Sequence, residues 1–169
     1  MSKFVSVYIE IAKHSHEKFE FDKKQNQLLL DRNLNYPYFY PYSYGFIPNT
    51  LGSDGDELDC LVISNTNYPP NTFLQVYIVG ALVMEDEKGM DEKILVIPSN
   101  EYNFDSGIQD INDVPESILK NLEWFFSGYK RHEKTKWSRV DGFINRQKSL
   151  ELFYTSVSRF LDTNDDSPV

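Results

Sequence analysis

Apolar and polar residues alternate at the start of the chain. Val5, Val7, Ile9 and Ile11 are separated by Ser6, Tyr8 and Glu10, the two-residue period of a half-buried strand. Phe19 and Phe21 alternate with Lys18, Glu20 and Asp22. The polar loop Lys23–Asn26 then leads into Leu28–Leu30, which predicts a β-hairpin. Residues 36–48 are crowded with Tyr, Phe and Pro, and the prolines at 37, 41 and 48 forbid a helix interior. Apolar runs follow at Leu58–Ile63, at Phe73–Met84 after the Pro69-Pro70 break, and at Ile94–Ile97 before Pro98. These predict further strands.

Past residue 110 the period changes. Ile118, Leu122, Phe125, Phe126 and Tyr129 recur at helical spacing, the apolar stripe of an amphipathic helix. Asp113, Pro115 and Glu116 predict its start, as cap, early proline and capping-box acid. Leu150, Phe153, Tyr154, Val157, Phe160 and Leu161 predict a second helix, with a flexible tail over about 162–169. No repeat and no linker divides the chain, so residues 1–169 read as one domain. Strands first and helices last predict an α+β domain, mainly β: a curled sheet or barrel with helices against it.

Composition narrows the function. The 169 residues include 26 acidic and 17 basic side chains, for a formal net charge of -9. Nucleic acid and anionic membrane surfaces both call for clustered Lys and Arg, so neither is an expected partner. Glu10 and Ser6 break the opening stretch that a signal peptide would need. No run approaches the ~20 apolar residues of a transmembrane helix. A soluble cytoplasmic protein is the expectation. The single cysteine, Cys60, excludes an internal disulfide framework. Its apolar neighbours predict a buried, inert thiol.

The acids are unevenly placed. Asp54, Asp56 and Asp59 fall within six residues, spaced by Gly55. A second acidic loop, Glu85–Glu92, joins two expected strands. Crowded carboxylates repel, and burial raises their pKa; a hard divalent cation removes that penalty, and oxygen-only ligands suit Mg²⁺ or Mn²⁺. Acidic turns are also commonly just solvated, and the spacing is a poor match to an EF-hand, which wants a Gly where Asp59 stands. Lys18, Arg32, Lys93 and Lys130, with the hydroxyls of Tyr40, Tyr44 and Tyr129, supply what a phosphate clamp needs. Taken singly, each reads more readily as a surface charge or a core aromatic than as part of a clamp.

Taken in order along the chain, these residues resemble the soluble family I inorganic pyrophosphatases from about Tyr8 to Phe160. The most specific element is Asp54-Gly-Asp-Glu-Leu-Asp59, similar to the family signature Asp-x-Asp-Pro-x-Asp. Tyr40-Pro41, Tyr44–Pro48 and Asn49-Thr50-Leu51 match the stretch leading into it. Asp86, Asp91 and Lys93 match the second loop; Phe125-Phe126, Tyr129-Lys130 and Lys136-Trp137 match the C-terminal element.

The resemblance implies an OB-type closed five-stranded barrel with flanking C-terminal helices. It also implies hydrolysis of pyrophosphate to two orthophosphates by water held between Mg²⁺ ions, several per subunit, with Mn²⁺ a possible substitute. Carried over residue by residue, Asp54, Asp59 and Asp91 hold a first metal, and Asp59 bridges to a second. Asp86 and Asp91 serve a metal arriving with substrate, and Glu10 another. Asp56 is the general base. Lys18, Arg32, Tyr44, Lys93, Tyr129 and Lys130 bind phosphate oxygens, with Glu20 and Tyr40 in support. A homo-oligomer, specifically a hexamer, is implied for a chain of this length.

Departures from the family pattern are Glu57 in place of the signature proline, Ala12 in place of an N-terminal proline, and Ser43 in place of an asparagine. Glu57 is expected to shift metal affinity or pH optimum rather than abolish activity. The competing readings are a phosphohydrolase acting on polyphosphate or a nucleotide, and an OB-type module binding single strands through aromatics. The absence of a basic stripe beside Tyr36–Tyr44 argues against the second.

Overall fold

A computed structural model of the chain describes residues 3–102 and 107–165. The strands are β1 (Phe4–Ile11), β2 (Glu17–Asp22), β3 (Gln27–Asn33), β4 (Ser43–Ile47), β5 (Leu58–Val62), β6 (Phe73–Asp86), β7 (Gly89–Met90), β8 (Lys93–Pro98) and β9 (Ser138–Asn145). The α-helices are α1 (Glu116–Gly128) and α2 (Arg146–Asp165). Five strands close into a mixed barrel in the order β1-β4-β5-β8-β6 and back to β1; only β5–β8 is parallel. The predicted hairpin β2–β3 forms a two-stranded sheet of its own.

The barrel is filled by Val7 and Ile9 from β1, Ile47 from β4, Leu58, Cys60 and Val62 from β5, Val76, Ile78 and Ala81 from β6, and Ile94 and Val96 from β8. Leu150 and Phe153 of α2 pack against this cluster. Cys60 is fully buried, as expected, and burial pushes its thiol pKa up. A second cluster lies between the outer face of the sheet and α1, centred on Tyr40, Tyr44, Leu82, Leu95, Leu122, Phe125 and Phe126. Burying one such side chain contributes roughly 1.5–3 kcal/mol, so both faces of the central strands stabilise the fold. That explains why β5, β6 and β8 read as continuous apolar runs rather than alternating ones.

Two register breaks set the faces. In β1 the pairing with β4 shifts between Ile9 and Ile11, leaving Glu10 as the extra residue. Ile9 therefore points into the barrel and Ile11 into the outer cluster. A second break, in β6 between Ile78 and Gly80, does the same for Ile78 and Leu82. Bulges re-aim side chains in this way.

The structure departs from the sequence reading at three places. Asp113 does not cap α1, whose N-cap is Pro115, with no side-chain bond. A short 3₁₀ turn at Ile111–Asp113 takes the capping box instead, with Asp110 as its N-cap and Asp113 reaching back to it. The proline accounts for this, since it supplies the extended entry to the helix and has no amide to cap. Strand β9, which pairs with the outer stretch of β6, was not foreseen. Its apolar pattern is interrupted by Gly142 and by a register break opposite Val83 and Met84. Helix α2 runs on through Asp165, so the first residues of the expected tail are helical; residues 166–169 lie outside the described residues.

Candidate active site

The acidic turn is built from its hydrogen bonds upward. The buried Thr50 hydroxyl donates to the Ile47 carbonyl (2.6 Å) and accepts from the Leu58 amide (3.0 Å), pinching the loop shut at its neck. The Gly52 amide donates to the Asp56 carbonyl (2.7 Å), and the Asp56 amide donates to Asp54 Oδ1 (3.1 Å). Gly55 has φ +90°, which glycine adopts without strain. From behind, α2 braces the loop: the Leu51 amide donates to the Ser156 carbonyl (3.0 Å) and Arg159 Nη1 to the Leu51 carbonyl (2.7 Å).

This turn opens onto a cavity of about 520 Å³. Every residue singled out from the sequence lines it: Glu10, Lys18, Glu20, Arg32, Tyr40, Tyr44, Asp54, Asp56, Asp59, Asp86, Asp91, Lys93, Tyr129 and Lys130. They come from β1, the β2–β3 hairpin, the loop before β4 and β4 itself, the acidic turn with β5, the end of β6, the loop before β8 with the start of β8, and the end of α1. The barrel and its attached hairpin therefore assemble what lies scattered over 120 positions of sequence.

Strand register explains the closest contacts. Asp59 and Lys93 are direct partners in the parallel β5–β8 pair. Lys93 is buried, and its Nζ donates to Asp59 Oδ2 (2.7 Å), to both Asp91 oxygens (2.9 and 3.0 Å) and to Tyr44 Oη (2.9 Å). Burial disfavours its charge, but Asp59, Tyr44 and Asp91 outweigh that and hold its pKa well above the usual lysine range. Lys130 Nζ donates to Asp86 Oδ2 (2.9 Å), with Glu87 at 3.6 Å. Burial alone would raise the Asp86 pKa, but the Lys130 ammonium and the Lys88 amide hold it below the usual value. Lys18 and Arg32 face each other on the hairpin and pair with Asp31 (2.9 Å) and Glu133 (2.8 Å). Arg32 Nη2 is buried without a hydrogen-bond partner, a donor aimed at nothing in the protein itself.

Three carboxyls are shifted upward. Burial drives Glu10 to about 8, with the Phe21 amide opposing and Asp59 and Glu20 adding repulsion. Burial also raises Asp91, against the opposing Lys93 charge, and Asp59 adds to it. Asp54 is raised by burial and, against the Asp56 amide, by Asp91, Asp56 and Asp59. Burial and neighbouring carboxylates both disfavour the ionised forms, and a cation offsets both. Among the described residues no three carboxylates meet closely enough at one point to grip a metal ion as they stand; the Lys93 ammonium lies between Asp59 and Asp91. The donor set is nonetheless all oxygen and electrostatically strained, which suits a hard divalent cation.

The aromatic residues form the floor. Tyr40 packs with tilted rings between Tyr44 (5.1 Å) and Phe125 (5.0 Å), and Tyr129 stacks on Phe125 (5.3 Å) and meets Phe126 edge to face (5.4 Å). Burial raises the hydroxyl pKa of Tyr40, Tyr44 and Tyr129, so all three remain neutral donors. Several cavity residues were not foreseen as site residues: Lys23, Lys24, Glu57, Glu87, Lys88 and Lys136. Lys136 lies within the matched C-terminal stretch, which was its only sequence signal. The lysines of the hairpin turn carried none.

Comparison with known proteins identifies the family. The family profile described as inorganic pyrophosphatase matches residues 7–161. An inorganic pyrophosphatase of Helicobacter pylori is 41% identical over 155 residues, covering 91% of this chain and 90% of that protein. A solved Helicobacter pylori inorganic pyrophosphatase superposes with a TM-score of 0.90 at 39% identity, over 94% of each chain. The Thermus thermophilus enzyme gives 0.89 at 41% identity, over 94% of this chain and 91% of that one. By profile, sequence and fold, the chain belongs to the inorganic pyrophosphatase family.

Proposed function

We propose that this protein hydrolyses inorganic pyrophosphate to two orthophosphates with Mg²⁺ as its metal. The observation carrying this reading is the single cavity in which strained carboxylates face Lys18, Arg32, Lys93 and Lys130, with Arg32 Nη2 buried and unpaired. Asp54, Asp59 and Asp91 would hold one ion, with Asp59 shared with a second; Asp86 and Asp91 would serve an ion arriving with substrate, and Glu10 another. Bound there, divalent ions neutralise the polyanion and make water a nucleophile near neutral pH.

The protein's own side chains do the rest. Asp56, on the exposed turn, accepts a proton from the attacking water at a carboxylate oxygen. The new bond forms between that water oxygen and one phosphorus as the bridging P–O bond breaks. The departing phosphate carries the electron pair, and Arg32, Lys18, Lys93 and Lys130 stabilise its charge. Tyr44 and Tyr129 hold phosphate oxygens as neutral donors, which fixes alignment without adding charge. Glu20 and Tyr40 hold the wall and floor. The net charge of -9 does not oppose binding, because fixed local charges dominate the field inside the cavity.

Orthophosphate release from pyrophosphate with Mg²⁺ tests the reading. Asp56→Asn and Asp59→Asn should each lower kcat by about 10²-fold or more. A wild-type preference for a nucleoside triphosphate, or an unimpaired Asp59→Asn enzyme, refutes it. Among the described residues no helix is long and apolar enough to cross a membrane. We place the enzyme in the cytoplasm as a homohexamer, a reading that rests on the family resemblance; sedimentation velocity tests the hexamer, and cell fractionation the location.

A further inference from the structure

The acidic turn carrying Asp54, Asp56 and Asp59 and the hairpin carrying Lys18, Glu20 and Arg32 meet at the cavity from two different sheets. The hairpin shares no strand ladder with the barrel, and a two-stranded ribbon is marginally stable by itself. Its base is held by backbone bonds, the His14 amide to the Tyr40 carbonyl (2.7 Å) and the Tyr40 amide to the Ser15 carbonyl (2.8 Å), so it is the outer part, toward the tip, whose position depends on side-chain ties. Near the turn end of β2, the Phe21 amide donates to Glu10 Oε2 (2.8 Å) and the Phe21 ring packs on Tyr8 (5.4 Å). On β3, Arg32 pairs with Glu133. At its tip, Lys23 pairs with Glu57. Among the described residues this is the one ion pair joining the hairpin to the 54–59 turn. Glu57 is largely covered, with 21% of its side chain exposed, whereas Lys23 reaches in from solvent, 73% exposed.

We infer that Lys23 and Glu57 are positioning residues, a clasp that holds the hairpin's cations over the acidic turn and so sets the pyrophosphate KM. The inference rests on the pyrophosphatase reading above. Glu57 stands where a signature proline would stiffen the turn through its own ring. Here the turn is tied instead to a partner on the opposite wall. The pair also cancels the Glu57 charge, which would otherwise add to the carboxylates that a polyanion must approach. Neither residue touches the reacting atoms, so the effect reaches the reaction only through where Lys18 and Arg32 sit: KM rises, and kcat falls with it as far as those cations act on the departing phosphate.

Charge reversal separates a clasp from a simple field. A field acting on pyrophosphate moves KM in opposite directions: Lys23→Glu raises it and Glu57→Lys lowers it. A clasp is broken by either change. Each single variant should raise KM about two- to fivefold, the range of an exposed ion pair. The double variant Lys23→Glu/Glu57→Lys should return KM to the wild-type value. Amide hydrogen exchange across residues 21–28, read without pyrophosphate, should quicken in both single variants and recover in the double. Opposite KM shifts, a double variant that fails to recover, or unchanged exchange in the single variants would each overturn the clasp. Because exchange needs no substrate, it judges the clasp even if the wild type releases no phosphate from pyrophosphate, a result that overturns the functional reading alone.

Discussion

Lys93 is a residue whose charge is legible in the sequence and whose surroundings are not. Its position in the second loop marked it as a phosphate ligand. Its surroundings add that it neutralises Asp59 and Asp91 from a buried site. Removing one member of a buried charge cluster leaves the others uncompensated, at a cost of about 3–5 kcal/mol. Lys93→Met should therefore lower the Tm of EDTA-treated protein sharply, and added Mg²⁺ should restore more Tm than it adds to the wild type. Equal Mg²⁺ responses in a differential scanning experiment would refute this balancing role. Glu57 is the opposite case: its oddity was legible, but its partner was not, because Lys23 lies 34 positions away on a loop with no motif of its own.

At the level of elements, periodicity located β1, the hairpin, β5, β8 and both helices within a few residues. The signals that failed were those that depend on what lies alongside. Strand β9 is defined by its pairing with β6, and the break at Glu10 by the approach of β4. At that break Gly45 lies opposite Ile9, and a Cβ there would stand 1.8 Å from the Tyr8 carbonyl oxygen and 2.8 Å from its carbon. Both are backbone atoms and cannot swing aside. Gly45→Ala should cost about 3 kcal/mol and open the β1–β4 seam beside Glu10. Gly128→Ala meets the Tyr38 hydroxyl at 1.9 Å and two of its ring carbons at 2.7 and 2.9 Å; these are side-chain rather than backbone atoms, so it should cost less. Urea denaturation of the two variants checks the order; the reverse ranking would contradict this account of the seam.

Over the whole molecule, burying an acid, with other carboxylates nearby, has a consequence for stability against pH. The folded Glu10 carboxyl keeps its proton up to about pH 8, against an ordinary value of 4.5. Between those limits the folded state binds more protons than the unfolded one, so this group's contribution falls as pH rises through the window and is most unfavourable above it. Glu10→Gln retains an acceptor for the Phe21 amide and removes the penalty. In EDTA, the variant should match the wild type near pH 4–5 and exceed it by up to about 4 kcal/mol above pH 8. Parallel pH profiles of unfolding free energy would show that Glu10 is not held protonated by its site.

The sequence alone determined the class of fold and the chemical inventory. Strand and helix periods are local properties, and an ordered set of acids, cations and phenols carries the family resemblance without coordinates. Tertiary structure decided what those residues do to one another. Barrel closure, the parallel pairing that sets Asp59 against Lys93, the bulge that re-aims β1 at Glu10 and the hairpin tip that meets Glu57 are long-range contacts. Their energies depend on burial and distance between residues far apart in the chain, and neither quantity is written in local sequence.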